Sequence, residues 1–289
     1  EGVSEEDYSH ARTVWDKFEM TTFKEYHDLY LMTDVLLLAD VVQQFRGLAK
    51  REYDLDPLHY YTAPGFSWDA MLKLTTTSRY GEVTTRHLDL LLNSDQGLFI
   101  EKGIRGGISM ISNRFAVANN PEVPDYDASK PTNWLQYLDA NNLYGWAMMQ
   151  PLPERNFRFL SENEVTDFDV NVPRVEDEKG YILEVDLEYP VELHQLHNDY
   201  PLAPERLVVT KEMISEYGKH LSEKLGVKFS KIEKLVPNFY DKKEYVLLIR
   251  NLQLYISLGM RCTKIHRILE FTQSRWLAPY IEKNTQLKA

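Results

Sequence analysis

The residues best suited to chemistry lie in the stretch 137–153, YLDANNLYGWAMMQPLP. Enzymes that transfer phosphoryl groups through metal ions need carboxylates held rigidly where two divalent cations can bridge substrate and nucleophile. Asp139 offers one at the end of an apolar run, and Asn141 and Asn142 favour a turn whose backbone can add a carbonyl ligand. Tyr144 would present a flat ring beside the bound group. An Asx turn at a strand–helix junction with a buried tyrosine fits the same spacing, so both interpretations stand.

A second carboxylate lies in a long apolar segment. Residues 22–53 contain no proline and one glycine, with leucines and valines at helical spacing, which predicts one long, mostly buried helix capped by Thr22. Asp34 shares a face of this helix with Tyr30 and several leucines. An ionised carboxylate on so apolar a face is costly unless it is hydrogen-bonded, paired or bound to a metal ion. Asp34 is therefore a candidate metal ligand, with a partner arginine from elsewhere as the equal alternative.

Three stretches before Asp139 must position it. Residues 96–115 predict a strand, a glycine-rich turn and a second strand. Residues 118–133 are polar and proline-rich, which is typical of a boundary between two domains. Residues 134–138 then predict a short strand from whose end Asp139 projects.

The elements after Asp139 are predicted from turn and periodicity signals. A helix should run from Gly145 to Gln150, because the prolines at 151 and 153 cannot continue it. Residues 181–190, YILEVDLEYP, alternate apolar and acidic side chains as in a half-buried strand. Residues 238–260 predict a strand or loop that leads into an amphipathic helix, and two further helices are expected at 67–74 and 212–225.

Composition places the chain among globular proteins. Its 289 residues, 43% of them hydrophobic, suffice for a large core and about two domains. There is no apolar run of membrane-spanning length and no signal-peptide pattern, so we expect an intracellular protein without a membrane partner, in a compartment that the sequence leaves unknown. The single cysteine, Cys262, excludes an internal disulfide framework and predicts a buried structural thiol.

The charge is distributed unevenly along the chain. The net charge is −11, yet residues 201–289 contain 16 Lys and Arg against 9 Asp and Glu. An acidic first part and a basic last part suit a protein that holds metal ions in one place and phosphates in another. Ordinary solvated helices of uneven charge explain the same counts equally well.

Three motifs resemble those of one enzyme family. The sequence YLDANNLYGWAM resembles the first palm motif of family B DNA polymerases, Asp-x-x-Ser-Leu-Tyr-Pro, and YLMTD resembles the third motif of their proofreading exonuclease. GIRGGIS is similar to the Tyr-x-Gly-Gly linker between the two domains. DYPLAPE and FYDKKEYVLLIRNLQLYISLGM are similar to the protein-primed branch, found in Polinton/Maverick transposons and related viruses and linear plasmids. The resemblance covers nearly the whole chain.

The resemblance implies a fold class and domain bounds. The chain would be α/β (α+β), with the C-terminal part of an RNase H-like 3′–5′ exonuclease domain at 1–95. A linker would follow at 96–132, and a partial palm at 133–289 would carry a protein-priming insertion at about 153–238. The chain would thus be a fragment of an enzyme that adds dNTPs to a DNA or protein primer by two-metal phosphoryl transfer and proofreads the product.

The resemblance also implies roles for individual residues. Asp139 and Asp34 would bind Mg²⁺ or Mn²⁺ in the polymerase and exonuclease sites, and Tyr30 would orient the attacking water. Tyr144 would stack under the deoxyribose and exclude a 2′-hydroxyl. The nucleotide would be held by Asp139, Ala140, Asn141, Asn142, Leu143 and Tyr144, and the template by Arg105, Gly106 and Gly107. The partners would be DNA template and primer, dNTPs and a terminal priming protein.

The chain departs from the family pattern at three positions. Asn142 stands in place of serine and Gly145 in place of proline, which alters the turn, and Ile104 replaces the linker tyrosine, which removes an aromatic platform for the template. In the family, the exonuclease motifs Asp-x-Glu and Asn-x-x-x-(Phe/Tyr)-Asp come before YLMTD, and the polymerase motifs Asn-Ser-x-x-Gly and Asp-Thr-Asp come after the first palm motif. None of them occurs at those places in the sequence, and the Asn-Ser at 93–94 precedes the palm motif and has no lysine just before it. We therefore expect these 289 residues alone to be inactive.

Two other functions compete with this interpretation. A domesticated remnant without catalysis would survive as a nucleic-acid-binding or interaction module. An unrelated metal-dependent phosphodiesterase would need further carboxylates, which Glu184, Asp186 and Glu188 offer, although such alternation is more typical of the solvated side of a strand.

The histidines and one arginine give weaker signals. His194 and His197 have loose metal-ligand spacing but lie in a polar stretch without companion ligands, so we assign them no metal. His266 and Arg267 are predicted on a helix whose basic side contacts phosphate.

Overall fold

The computed structural model describes residues 2–76, 88–113, 115–226 and 231–288. The chain forms two compact units, Glu1–Thr85 and Arg86–Ala289. The proline-rich stretch 118–133 lies inside the second unit. Both helices and antiparallel strands are present, so the mixed α and β class predicted from the sequence is confirmed.

The helices of the first unit begin at strong local signals. Thr22 and Glu25 form a capping box, in which each side chain receives the other residue's backbone N–H. The predicted N-cap is therefore confirmed, as is the helix expected at 67–74. The α-helices in the described part of this unit are α1 (Glu5–Lys17), α2 (Phe23–Tyr53) and α3 (Ala63–Thr76).

The prediction that the long helix is mostly buried is wrong. Ala49 is the one buried residue of α2, and the apolar side chains of its middle turns are more than half exposed. Only the last turns pack on α3, where Phe45 and Tyr53 meet the edge of Phe66. Trp15 of α1 stacks on Tyr26 in the first turn of α2. Apolar residues occur all round α2, and the described residues of this unit leave its middle turns uncovered.

The second unit is built on a four-stranded antiparallel sheet. Its strands run in the order β1-β6-β2-β5, and β3 and β4 form a separate two-stranded hairpin. The strands are β1 (Leu152–Phe159), β2 (Lys179–Glu188), β3 (Glu205–Leu207), β4 (Lys234–Val236), β5 (Lys242–Leu248) and β6 (Arg261–Ser274). The α-helices in the described part of this unit are α4 (Ser94–Gly103), α5 (Leu143–Met148), α6 (Glu162–Thr166), α7 (Glu216–Lys224), α8 (Ile249–Ser257) and α9 (Ala278–Lys288).

Both faces of the sheet are covered. On one face Leu183 and Val185 of β2 pack with Leu252 of α8 in the larger core cluster. On the other face Ile182 packs with Phe99 of α4 in a smaller one. The predicted strand at 181–190 is confirmed, but it is buried on both sides and not half-buried.

Three predictions for the residues before Asp139 are wrong. The second strand expected within 96–115 is not formed, since residues 104–113 contain no strand. Residues 94–103 form α4 and not a strand, because Asn93 caps a helix there and its Oδ1 accepts from the Asp95 N–H at 2.9 Å. Residues 134–138 form no strand, and an isolated bridge joins Asn119 to Asn133.

Most predictions for the residues after Asp139 are confirmed. α5 lies within two residues of the helix expected at 145–150, α7 falls inside 212–225, and β5 with α8 matches the predicted strand and amphipathic helix. His266 and Arg267 lie on β6, so the helix predicted for them is wrong. No helix among the described residues is long and apolar enough to cross a membrane.

Candidate metal and nucleotide site

The turn that carries Asp139 is built by Asn142. Asn142 has a left-handed backbone with φ 52°, and its Oδ1 accepts a hydrogen bond from the Gly145 N–H at 3.2 Å, which caps α5. A left-handed conformation is unfavourable for most residues but tolerated by asparagine. The expected turn at 141–142 is confirmed. Asp139 lies three residues before the cap with an exposed carboxylate.

The departures at positions 142 and 145 form one structural unit. A Cβ on Gly145 would lie 2.2 Å from Asn142 Nδ2, so the asparagine side chain occupies the space that any larger residue would need. A proline at 145 would also lack the N–H that Asn142 accepts. Asn142 and Gly145 therefore depend on each other, and α5 begins directly after the turn that they form.

Tyr144 stands in the first turn of α5 and points into solvent. Its side chain is 79% exposed, so the interpretation of this stretch as a turn with a buried tyrosine is not supported. The neighbouring large side chains are exposed as well, with Tyr137 at 94% and Leu138 at 76%. Ala140, Asn141 and Leu143, predicted to contact the nucleotide, are exposed on the same turn.

The acidic residues of β2 are committed to ion pairs. Glu184 Oε1 accepts from Lys102 Nζ at 2.7 Å, and Asp186 contacts both Lys243 Nζ at 3.0 Å and His266 Nε2 at 2.9 Å. Both carboxylates are buried, so the interpretation of this strand face as solvated is wrong for them. Their cationic partners explain how they can be buried in the ionised form.

The Asp186 carboxylate is strongly stabilised in its charged form. The backbone N–H of Glu244 donates to Oδ1 at 3.0 Å, and the bonds from His266 and Lys243 add to it. Together these hold the pKa of Asp186 far below its usual range. This carboxylate supports the sheet and is not a spare ligand for the phosphodiesterase alternative.

No group of three or more His, Cys, Asp or Glu side chains within residues 2–76, 88–113, 115–226 and 231–288 is arranged to hold a metal ion. The Asp139 carboxylate is a hard oxygen donor of the type that Mg²⁺ prefers, and it is exposed to incoming ligands. It fits a magnesium site as one ligand among several.

The predicted template residues have contrasting environments. The Arg105 guanidinium lies 3.7 Å from the centre of the Tyr245 ring, and Nη1 donates to Val246 O at 2.6 Å. Gly106 and Gly107 are exposed, and a Cβ on either would meet no atom within 4 Å. Arg105 thus fastens this segment to β5, whereas the two glycines leave open space beside their backbone.

The exonuclease candidates lie in the first unit. Tyr30 and Asp34 are one helical turn apart on the same face of α2, as expected, and both are exposed. The carboxylate is therefore hydrated, and the argument from the cost of burying it does not apply. The Asp34 carboxylate makes no hydrogen bond or ion pair with the described residues, so the predicted arginine partner is not observed among them.

The remaining singled-out residues have structural roles. His197 is buried and shares a 2.9 Å hydrogen bond with the Tyr189 hydroxyl, and His194 stacks on Phe239. Arg267 packs on Phe159 and pairs with Asp95 at 3.2 Å instead of standing free for phosphate. Partial burial raises the pKa of the Cys262 thiol, in keeping with a structural residue.

Sequence reasoning missed one group of charged residues around Tyr245. Arg206 on β3 and the buried Lys242 on β5 lie in the same part of the second unit as Arg105. No local pattern marked either Lys242 or Arg206, since β5 does not alternate buried and exposed residues. Comparisons with protein-family models, with curated proteins and with solved structures gave no match.

Proposed function

We propose that this chain is part of a protein-primed family B DNA polymerase, spanning the end of the 3′–5′ exonuclease domain and the first part of the palm. Asp139 would be one of the ligands of the catalytic Mg²⁺ ions, and Tyr144 would lie under the sugar of the incoming dNTP. Template, primer and a terminal priming protein would be the macromolecular partners.

The observation that carries this proposal is the exposed pair of Asp139 and Tyr144 on one capped turn. Both side chains are exposed and make no hydrogen bond or ion pair with the described residues; Asp139 stands before the start of α5 and Tyr144 just inside it. A metal-bound triphosphate needs a carboxylate and an open approach of this kind. The Asn142 cap fixes the turn, so the carboxylate is held on an ordered backbone.

The open backbone at Gly106 and Gly107 supports a role in strand binding. Neither glycine has a positive φ or a neighbour that would exclude a side chain. A close approach by a ligand would account for two successive glycines at this position. On the exonuclease side, the proposal rests on the placement of Tyr30 and Asp34 on one face of α2.

The test is primer extension by the complete protein that contains this sequence, with Mg²⁺ and a DNA primer–template. Asp139→Asn keeps the size of the side chain but removes the charge that binds the metal ions. We expect extension to fall by about a thousandfold, equivalent to about 4 kcal/mol of transition-state stabilisation. Asp125→Asn, also exposed and in the same unit, is the matched control and should retain full activity.

Two further measurements separate the roles of the turn. Tyr144→Ala should raise incorporation of rNTPs relative to dNTPs, whereas Tyr200→Ala, an exposed tyrosine elsewhere in the unit, should not. The 289-residue chain alone should extend no primer with Mg²⁺. Equal extension by the wild-type protein and Asp139→Asn would refute the proposal, and DNA binding without any extension would favour the non-catalytic remnant.

A further inference from the structure

A cleft of 630 Å³ lies between α4, the β3–β4 hairpin and the start of β5. Its wall includes the side chains of Arg105, Arg206 and Tyr245. Arg105 is half-buried against Tyr245, and Arg206 projects from β3 into solvent. The two guanidinium groups are close enough to repel each other, and this repulsion adds to the effect of burial in lowering the pKa of Arg105.

The lysines of the cleft are already neutralised by the protein. Lys102 binds Glu184 at 2.7 Å and Lys243 binds Asp186 at 3.0 Å. Among the carboxylates of the wall, Glu205 is held by the buried Lys242 at 2.9 Å. These pairs leave little net charge of their own for a ligand.

The two arginines have no such partners. Arg105 donates only to the backbone carbonyls of Gly103 and Val246, through Nη1, and forms no ion pair with any described carboxylate. The Arg206 side chain makes no hydrogen bond or ion pair with the described residues; only its backbone is paired, in the β3–β4 ladder. Against these two charges the wall presents Glu101, which has no partner in the described structure, and Glu244, which lies 3.8 Å from the Lys102 ammonium group that already binds Glu184.

A half-buried cation without a counter-ion is unfavourable, because burial removes water that would otherwise solvate it. An anion in the cleft would relieve that penalty and the repulsion between Arg105 and Arg206 together. The free Nε and Nη2 groups of a guanidinium match the oxygens of a phosphate in pairs. The open backbone of Gly106 and Gly107 directly follows Arg105, so an extended ligand has room to continue beside it.

We infer that this cleft binds a phosphodiester group of a nucleic acid strand between Arg105 and Arg206. The choice of a nucleic acid over other phosphate compounds rests on the proposed function. The site adds the β3–β4 hairpin, through Arg206, to the strand-binding surface. Tyr245 holds the Arg105 guanidinium in place by its ring, and its hydroxyl is fixed by a hydrogen bond to Pro204 O at 2.9 Å.

The experiment measures binding of a short fluorescein-labelled single-stranded oligonucleotide to the 289-residue chain by fluorescence anisotropy. Arg206→Ala should weaken binding about tenfold and reduce the slope of log K against log salt by about one. Arg206→Lys should keep most of the salt slope, since it keeps the charge. Because Arg206 is exposed, these variants should fold normally, which far-UV circular dichroism will verify.

The matched control is Lys234→Ala, which removes a cation from the same hairpin outside the cleft wall. It should change affinity by less than about twofold. Equal effects of Arg206→Ala and Lys234→Ala would refute the site. If polyglutamate displaced the labelled oligonucleotide as effectively as unlabelled oligonucleotide does, the ligand would be an acidic protein and not a nucleic acid. If millimolar inorganic phosphate displaced it at constant ionic strength, the ligand would be a small phosphate compound.

The outcome is independent of the polymerase test. Oligonucleotide binding to the cleft is measured without Mg²⁺ and dNTPs, and Asp139 is not part of the cleft wall. Loss of the Arg206 effect would overturn the cleft without touching the metal site, and loss of the Asp139 effect would overturn the polymerase proposal while the cleft remained.

Discussion

Lys242 offers the sharpest test of how the second unit is held together. Its side chain is 1% exposed, and Nζ donates to Glu205 Oε1 at 2.9 Å, to Tyr240 O at 2.7 Å and to Asn238 Oδ1. All three ammonium protons are therefore satisfied. Burial lowers the pKa of Lys242, and Glu205 opposes that shift by favouring the charged form. The lysine joins β5 to the hairpin that carries Arg206.

The effect of Lys242→Met can be worked out from these contacts. The substitution leaves three acceptors without their donor, and an unsatisfied buried acceptor costs about 1–3 kcal/mol. Glu205 keeps its bond from Asn238 at 2.8 Å and is 31% exposed, so water compensates part of its loss. Because methionine is uncharged, the variant folds without removing water from an ammonium group, and this offsets part of the loss of stability. We expect the free energy of unfolding of this part of the unit to fall by about 3 kcal/mol, which is at the low end of the cost of breaking a buried ion pair.

The assay is amide hydrogen exchange followed by mass spectrometry, because a chain with two compact units need not unfold in one step. Peptides covering β3 and β4 should exchange about 100-fold faster in Lys242→Met, since 1.4 kcal/mol corresponds to a factor of ten. Lys243→Met is the matched control, because that neighbouring lysine is 74% exposed and its ion pair should contribute less than about 1 kcal/mol.

A double variant tests the source of the effect. Adding Glu205→Gln to Lys242→Met removes the uncompensated charge, so part of the lost protection should return. Unchanged exchange of the hairpin in Lys242→Met, or an equal change in Lys243→Met, would refute the reasoning.

Two further predictions concern the sheet. The pKa of Asp186 is depressed, so its ionised form stabilises the fold above the usual pKa of about 4, and this contribution is lost as pH falls through the folded-state pKa. Asp186→Asn should therefore have a lower Tm at neutral pH and a smaller fall in Tm between about pH 5 and pH 2. Parallel curves of Tm against pH for the wild type and the variant would contradict this. A Cβ on Gly180 would lie 2.2 Å from the buried Phe271 ring, so Gly180→Ala should destabilise by about 1–3 kcal/mol in thermal melting. Gly106→Ala, with open space around it, should change stability by less than about 0.5 kcal/mol, and equal melting of the two variants would show that the contact does not matter.

Where local interactions decide the structure, the sequence was sufficient. The start of α2 follows from Thr22 and Glu25, which are three residues apart and satisfy each other's backbone groups. The turn after Asp139 follows from asparagine's tolerance of a left-handed backbone. These signals act within four residues and need no neighbour from elsewhere in the chain.

Short apolar runs were ambiguous between helix and strand. Residues 96–103 were predicted as a strand, although Asn93 supplied a cap signal that favours a helix. The segment around Arg267 was predicted as a helix but forms β6, whose β-branched and aromatic residues favour a strand. Periodicity alone cannot separate the two for fewer than about ten residues.

The sequence by itself determined the mixed class, the Thr22 cap of α2 and the turn that follows Asp139. Only the tertiary structure decided which side chains are buried. α4 covers the polar face of β2, so Glu184 is paired with Lys102 instead of water. Lys242 finds its charged partner, Glu205, 37 residues away in the chain, and Arg105 packs on Tyr245, which follows it by 140 residues. Burial and charge pairing depend on which distant segments meet, and no local pattern encodes that.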